Sequence, residues 1–275
     1  MTESGGPSAR DNAIIAPGID PRAIVHESAQ LGERVTVGPW SIIGPKVELG
    51  DDCWVGPHVV IKGPTRIGRG NQIFQFSTVG EDTPALAFTG EETWLYIGDH
   101  NVIREGVTIH RGTAQDDSRT VIGSHCLLMA YVHVGHDCIL GDNIIMANNA
   151  GVAGHVRVGD FANFGGFAAV PQYRSVGPFT HIGGMSLVLK DVPAYMTVSG
   201  NPAAAIGLNL EGMKRRGYDS ARIDALKQAH KIVYREGRTT RDAVATLDAL
   251  AEDEAVRRFQ QSIVESKLGI IRPRS

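Results

Sequence analysis

The sequence has little net charge, few aromatic residues, three cysteines and no long apolar run. A formal charge of −3 provides no global basic field, so we expect neither nucleic acid nor an anionic membrane surface as a partner. Three cysteines cannot all pair with one another within one chain. No apolar run approaches the roughly 18 residues of a membrane span, and the polar N-terminal residues contain no apolar signal core. These absences predict a cytoplasmic protein without a membrane span.

The chain is instead rich in glycine, with 33 residues, and it shows a strict six-residue period. Neither helical periodicity nor strand alternation explains such a period, which indicates a solenoid of hexapeptide repeats. The period is interrupted at residues 81–96 and 113–120, and each interruption predicts a loop that leaves the solenoid. Every sixth position in the three uninterrupted runs is apolar: Ile19, Val25, Leu31, Val37, Ile43, Leu49, Val55, Ile61, Ile67, Ile73 and Val79; Ile97, Ile103 and Ile109; Ile122, Leu128, Val134, Leu140, Met146, Val152, Val158, Phe164, Val170, Val176, Ile182 and Val188.

Each hexapeptide predicts one short strand and one turn, and three hexapeptides predict one coil of a parallel β-helix. Glycine often follows the apolar residue, as at Gly32, Gly38 and Gly50, and we expect it to supply the unusual dihedral angles of the turns. The fourth residue after the apolar one is usually small or apolar and should point inward. This inward position holds three residues that we expect to be core thiols: Cys53, Cys126 and Cys138.

The pattern predicts three parts. Residues 1–18 form a polar N-terminal extension, residues 19–202 form the β-helix with its two loops, and residues 203–275 form a helical domain. Asp219 or Ser220 should cap one helix, Thr239 or Thr240 a second, and a third is expected around residues 259–268. A solenoid needs cover at its open end, and the helices would provide it.

Candidate chemistry is concentrated near His136. Gly154 follows His136 by 18 residues, so the period places the two residues in one column on successive coils, and Gln172 continues that column. His155 adjoins Gly154. A histidine near a backbone N–H and a second histidine has the geometry of a general base beside an oxyanion donor. Asp137 could orient the imidazole.

Two other interpretations of these residues are open. Polar residues outside a coil are common, and ten histidines will include some neighbours by chance. A zinc site is the sharper alternative, because the gamma-class carbonic anhydrases are also hexapeptide β-helices and bind zinc through histidines. The two residues between His133 and His136 do not match the histidine spacing of that family. We therefore predict no metal and no other cofactor.

Motifs from Ile19 to Arg272 carry a more specific resemblance, which covers nearly the whole chain. The motifs lie at residues 73–80, 97–112, 127–138, 147–149, 153–155, 191–193, 200–201 and 209–217. Together they resemble the UDP-N-acetylglucosamine acyltransferases that begin lipid A synthesis. The resemblance, and not the period, implies that the β-helix is left-handed.

The resemblance also implies a reaction, in which a 3-hydroxyacyl group moves from acyl carrier protein to the 3-hydroxyl of UDP-N-acetylglucosamine. His136 matches the catalytic base, Asp137 the residue that orients it, and Gly154 the donor to the oxyanion. The implied assembly is a homotrimer. The positions that match contacts to the sugar or acyl group are His133 and His155. Those that match contacts to the nucleotide or its diphosphate are Gln172, Asn209, Glu211, Arg215 and Arg216. Gly184 matches the residue that measures acyl length.

Three positions depart from the family. Ala85 and Ala87 stand where the family commonly has an aspartate and a lysine, and Pro171 stands where it has a histidine. The acyl-transfer residues remain, while polar groups on the acceptor side are missing. One alternative is therefore an acyltransferase of the same fold with another acceptor, such as an amino-sugar nucleotide. A second alternative is a nucleotide-sugar binder with little activity.

The departures lead to a prediction about turnover. Hydrogen bonds to charged groups contribute roughly 1.5–3 kcal/mol each, so their loss should weaken UDP-N-acetylglucosamine acylation by orders of magnitude relative to typical family members. Combining Ala85→Asp, Ala87→Lys and Pro171→His should raise this turnover, measured with a 3-hydroxyacyl carrier protein by mass spectrometry. Wild-type activity at the family's level, or a triple variant without gain, would contradict the prediction.

Overall fold

A computed structural model describes residues 15–86 and 88–274, so Ala87 and residues 1–14 of the predicted extension lie outside the described part. The chain divides into two compact units, Met1–Cys138 and Ile139–Ser275. Parallel strands stacked in three sheets confirm the predicted fold class, a left-handed parallel β-helix with helices at the C-terminal end. The three predicted parts, 1–18, 19–202 and 203–275, stay a prediction.

The first unit is built from short strands, most of them two residues long. Its described residues form β1 (Ile24–Val25), β2 (Gln30–Leu31), β3 (Thr36–Val37), β4 (Ile42–Ile43), β5 (Val47–Leu49), β6 (Trp54–Val55), β7 (Val60–Ile61), β8 (Thr65–Ile67), β9 (Gln72–Ile73), β10 (Thr78–Glu81), β11 (Trp94–Ile97), β12 (Val102–Ile103), β13 (Thr108–His110), β14 (Arg119–Ile122), β15 (Leu127–Leu128) and β16 (His133–Val134). Each strand pairs with the strand three places later, which gives the orders β1-β4-β7-β10-β13-β16, β2-β5-β8-β11-β14 and β3-β6-β9-β12-β15.

The register of this unit follows the six-residue period. Val37 lies opposite Val55, as expected for residues one coil apart. The two interruptions do not disturb the interior ladders, because Ile73 pairs with Ile103 and Ile109 pairs with Val134. The extra residues are therefore looped out of the coil. The first insertion spans residues 82–93 and the second spans residues 111–118.

Most of the predicted ladder residues are buried and form the core, but Ile19 is exposed and Val25 and Leu31 are half-buried, because they lie in the first coil. All three cysteines are buried and form no disulfide. The thiol of Cys53 donates a hydrogen bond to the carbonyl oxygen of Gly68 at 3.0 Å, and burial raises its pKa. The interpretation of the cysteines as core residues is therefore confirmed.

The prediction that the recurrent glycine supplies the unusual dihedral angles of the turns is wrong. The left-handed residue of each turn is the third after the apolar one, as at Arg34 (φ 56°) and Trp40 (φ 57°), and it is rarely glycine. Glycine is needed at the position after the apolar residue because the backbone of the next coil lies so close. A Cβ on Gly38 would lie 2.7 Å from the carbonyl carbon of Gly56, and a Cβ on Gly50 would meet the next coil equally closely. Successive coils approach too closely for a side chain at this position.

Side chains on the left-handed corners stack along the solenoid. The ring of His58 lies between Trp40 and Phe76, with centroid distances of 5.0 and 5.5 Å. A left-handed conformation costs a non-glycine residue roughly 1–2 kcal/mol, and ring stacking between coils offsets part of that cost.

The second unit continues the same repeat and ends in helices. Its strands are β17 (Ile139–Leu140), β18 (Ile145–Met146), β19 (Gly151–Val152), β20 (Arg157–Val158), β21 (Asn163–Phe164), β22 (Ala169–Val170), β23 (Ser175–Val176), β24 (His181–Ile182), β25 (Met196–Ser199) and β26 (Ala204–Leu208). Its helices are α1 (Leu210–Arg215), α2 (Ser220–Tyr234), α3 (Thr240–Leu247), a 3-10 turn (Asp248–Leu250) and α4 (Glu254–Val264). Strands β25 and β26 form an antiparallel pair, and the first helix follows them at Leu210.

The helix starts follow the capping residues in the sequence. Asp219 accepts a hydrogen bond from the N–H of Arg222 and caps α2, and Thr239 accepts one from the N–H of Asp242 and caps α3. Both predicted caps are confirmed. The helix that was expected around residues 259–268 is α4, and it begins earlier than expected, at Glu254. The amide of Ala194 donates to Ser262 Oγ of α4 at 2.9 Å, which ties the helices to the last coil of this unit. Among the described residues, no helix has both the length and the apolarity to cross a membrane.

The close approach at Gly38 predicts a stability loss. Gly38→Ala should lower the free energy of unfolding by about 1–3 kcal/mol, because overpacking forces the next coil to shift. Gly207→Ala is the control, since a Cβ there would meet no atom within 4 Å. Denaturant unfolding of both variants measures the difference, and equal stability would contradict the steric explanation.

Candidate active site

His136 and Asp137 lie in the turn that follows β16. Their contact is short, with His136 Nδ1 at 2.7 Å from Asp137 Oδ2. The side chain of His136 is 12% exposed and that of Asp137 is 1% exposed. An ionised carboxylate can only accept, so Nδ1 would be the donor in this contact, and in the neutral ring the lone pair then lies on Nε2. The pair therefore presents a histidine that is oriented to act as a base.

The carboxylate of Asp137 is held by the second insertion. The backbone N–H of Thr113 donates to Oδ1 at 2.8 Å, and the hydroxyl of Thr113 donates to Oδ2 at 2.7 Å. The N–H of Asp137 donates to the hydroxyl of Thr120 at 2.8 Å. Sequence analysis did not select Thr113 or Thr120 as site residues, although they bound the second interruption of the period.

Two further histidines lie near His136 in the same unit. The hydroxyl of Thr108 is hydrogen-bonded to Nδ1 of His133 at 2.7 Å. The ring of His110 meets that of His133 edge-on, at a centroid distance of 5.1 Å. Burial lowers the pKa of His110 to about 4 and also lowers the pKa of His133, with neighbouring histidines adding to both shifts. His110 was not predicted, although it lies in a motif that carries the family resemblance.

Arg111 connects the two insertions. Its guanidinium donates to the carbonyl oxygen of Gly80 and to the carboxylate of Asp82, which begins the first insertion. Its side chain is 8% exposed, whereas that of Asp82 is 49% exposed, so only the arginine end of this ion pair is shielded from solvent. The segment next to Thr113 is thereby anchored to a neighbouring coil.

In the second unit, Gly154 and His155 lie in the turn after β19. The N–H of Tyr173 donates to the carbonyl oxygen of Gly154, which places Gly154 and Gln172 on adjacent coils as the period predicts. The ring of His155 stacks on Tyr173 at 4.4 Å. Gly154 is buried, whereas Gln172 is exposed. The predicted proximity of His136 to Gly154 stays a prediction.

A cavity of about 500 Å³ in the second unit gathers most of the residues predicted to contact a nucleotide. Sequence analysis had selected Asn209, Glu211, Arg215 and Arg216. The cavity does not include Gln172 among its described lining residues. Its walls also contain residues that sequence analysis did not select: Ile145, Phe161, Asn163, Phe179, His181 and Gly212.

The polar groups of this cavity are arranged by the start of α1. Asn209 caps that helix through a 3.0 Å hydrogen bond from the N–H of Gly212, and its amide donates to the carbonyl oxygen of Phe179 at 2.9 Å. Arg216 lies 4.0 Å from the ring centroid of Phe161, and burial lowers its pKa. A partly desolvated guanidinium is suited to bind an anion. Arg215 is exposed and pairs with Glu211 at 2.9 Å.

The two glycines after β24 differ in their surroundings. A Cβ on Gly183 would lie 2.6 Å from Ser199 Oγ, whereas one on Gly184 would lie 3.4 Å from the nearest atom. Gly184 is exposed, and its φ is not in the left-handed region. The backbone therefore does not require glycine at position 184.

Of the three departures, the structure describes two. Ala85 lies in the first insertion, where its N–H donates to Thr83 Oγ1 at 3.2 Å and its carbonyl accepts from Phe88 at 3.0 Å. Pro171 is half-buried and directly follows β22. Ala87 lies outside the described residues.

Comparisons with known proteins find relatives that match most of the chain. A family model described as UDP N-acetylglucosamine O-acyltransferase, domain 2, matches residues 191–271, and one described as bacterial transferase hexapeptide (six repeats) matches residues 119–154. The acyl-[acyl-carrier-protein]–UDP-N-acetylglucosamine O-acyltransferase of Stutzerimonas stutzeri (strain A1501) is 55% identical over 255 residues, which cover 92% of this chain and 99% of that protein.

Solved structures are similar as well. The crystal structure of UDP-N-acetylglucosamine O-acyltransferase from Moraxella catarrhalis RH4 has a TM-score of 0.91 and 43% identity, and covers 92% of this chain and 99% of that one. The structure of the Arabidopsis UDP-N-acetylglucosamine acyltransferase has a TM-score of 0.81 at 35% identity, with the same coverage.

Proposed function

Because the chain belongs to the UDP-N-acetylglucosamine O-acyltransferase family, we propose that His136 is the general base of its reaction. The chain is an acyltransferase that moves an acyl group from acyl carrier protein to UDP-N-acetylglucosamine. Relatives of that name match nearly their whole length at 55% identity, which favours this acceptor over the alternatives. The lower turnover expected from the three departures stays a prediction.

The observation that supports His136 most directly is its contact with a buried, hydrogen-bonded carboxylate. In the proposed step, Nε2 of His136 accepts the proton of the 3-hydroxyl while the oxygen attacks the thioester carbonyl. The C–O bond forms, the C–S bond then breaks, and His136 returns the proton to the departing thiolate of the carrier protein. Asp137 stabilises the imidazolium between these two transfers.

Gly154 is proposed as the donor to the oxyanion that forms on the thioester carbonyl. A backbone N–H is a suitable donor because it is already fixed in place and needs no reorganisation during the reaction. His133 and His155 are proposed to contact the sugar or the acyl group. Burial lowers the pKa of His133, so it would act as a neutral hydrogen-bonding group.

The cavity at the start of α1 is proposed to take the nucleotide. Arg216 is partly desolvated and forms no ion pair within the described residues, so a diphosphate would supply the missing negative charge. Arg215 would assist it, while Asn209 and Glu211 offer polar groups to the nucleoside. The exposed Gln172 is proposed to reach the nucleotide from outside this cavity.

The acyl chain is proposed to be a long 3-hydroxyacyl group that passes Gly184. A residue without a side chain leaves an apolar groove open, and the structure leaves room there for a Cβ. We further propose a homotrimer in the cytoplasm, with residues 19–202 as the β-helix and residues 203–275 as the helical domain.

His136→Ala should lower kcat by about a hundredfold or more, the range expected for loss of a general base. The fold should be retained, because the imidazole is not part of the apolar ladders. His125→Ala is the matched control, since His125 also lies in a turn of the first unit but is exposed and left-handed at φ 59°. The acyl-transfer rates of wild type and both variants are compared by mass spectrometry, after their stabilities have been shown to be equal. Activity of His136→Ala within a few-fold of wild type would exclude His136 as the base.

Gly184→Met should shift the preference to shorter acyl chains. Each methylene excluded from an apolar groove forfeits about 0.8 kcal/mol. A series of acyl carrier proteins with chains of increasing length measures the preference as relative kcat/KM, and Gly184→Ala provides an intermediate. An unchanged profile would show that the groove ends elsewhere.

A further inference from the structure

Asp137 is contacted from both sides of the second insertion. Thr113 lies within that insertion and donates to both carboxylate oxygens, through its N–H and through its hydroxyl. Thr120 lies in β14, after the insertion, and its hydroxyl accepts the N–H of Asp137. Both threonines are buried. The insertion and the strand after it thus bring two hydroxyl groups to the residue that contacts His136.

We propose that Thr113 is a positioning residue for acyl transfer, which holds the Asp137 carboxylate so that Oδ2 faces Nδ1 of His136. This inference rests on the proposed role of His136. Thr113 acts through Asp137, and its contribution is to orientation and not to substrate contact.

The physical reason lies in the freedom of a carboxylate. The terminal torsion of an aspartate is broad and roughly two-fold, so the backbone of Asp137 does not by itself determine where Oδ2 points. Two donors from Thr113, at 2.8 and 2.7 Å, restrict that rotation. The same donors stabilise a carboxylate that is almost completely buried, because a buried charge is costly unless it is hydrogen-bonded.

The rest of the insertion is suited to keep Thr113 in place. Arg111 donates to the carbonyl oxygen of Gly80 and to Asp82, and the N–H of Gly112 donates to the carbonyl oxygen of Trp94. Thr113 follows directly after these two anchored residues. Its hydroxyl is therefore presented by fixed backbone and not by a loop tip.

Thr113→Val tests the proposal, because valine keeps the β-branched shape and the backbone N–H but removes the hydroxyl. We expect kcat to fall about tenfold, with little change in KM for either substrate, since the loss concerns the orientation of a catalytic group. Thr113→Ser retains a hydroxyl and should restore most of kcat. Thr93→Val is the control: it is also a buried threonine, at the end of the first insertion, and its hydroxyl has no partner in the described part of the chain.

A double-mutant cycle separates positioning from a general structural role. In the Asp137→Asn background, Thr113→Val should have almost no further effect on kcat, because residues that act through one another are not additive. Full additivity would overturn the proposal, as would an unchanged kcat for Thr113→Val. If valine prevents folding, Thr113→Ala carries the same expectations.

The outcome also distinguishes this inference from the proposed function. Loss of activity in His136→Ala together with wild-type kcat in Thr113→Val would leave His136 as the base and reject Thr113 as its positioning residue. Near wild-type activity in His136→Ala would reject the base itself, and with it the role proposed for Thr113.

Discussion

Hydrogen bonding between successive coils, about 4.8 Å apart, is the constraint on which the rest of the repeat depends. It places every residue directly beside the residue one coil away, so that apolar positions form continuous ladders within each unit. It also leaves no space for a side chain at positions such as Gly38. The same spacing stacks corner rings, such as His58 between Trp40 and Phe76, because flat groups fit between layers at this distance.

The candidate pair of His136 and Asp137 is supported by a segment that interrupts this regularity. A uniform repeat offers few donors to a buried carboxylate, since most inward side chains are apolar or small. The second insertion supplies them from Thr113, and the ion pair between Arg111 and Asp82 connects it to the first insertion. Asp137 can therefore be buried next to His136 while both of its oxygens are hydrogen-bonded. The interior ladders continue past both insertions, so the core is not disturbed by them.

The end of the second unit forms the cavity that is proposed to take the nucleotide. Asn209 uses its side chain to cap α1 and to bond the carbonyl of Phe179, which connects the start of the helix to a corner of the solenoid. Arg216 lies over Phe161 at the end of the same helix. The cavity between them combines aromatic surface with a guanidinium that is only partly solvated, a combination suited to a nucleotide with a charged diphosphate.

The sequence by itself determined the six-residue repeat, the inward positions of the three cysteines, two helix caps and the adjacency of His136 and Asp137. These features depend on local spacing, which a single chain displays directly. It did not reveal that the recurrent glycines avoid a clash or that left-handed corners are occupied by residues such as Arg34 and Trp40. Nor did it identify Thr113, Thr120, His110, Asn163 and His181 as neighbours of the candidate residues. Only the tertiary structure decided these points, because insertions have no period and distances between coils are properties of the folded chain.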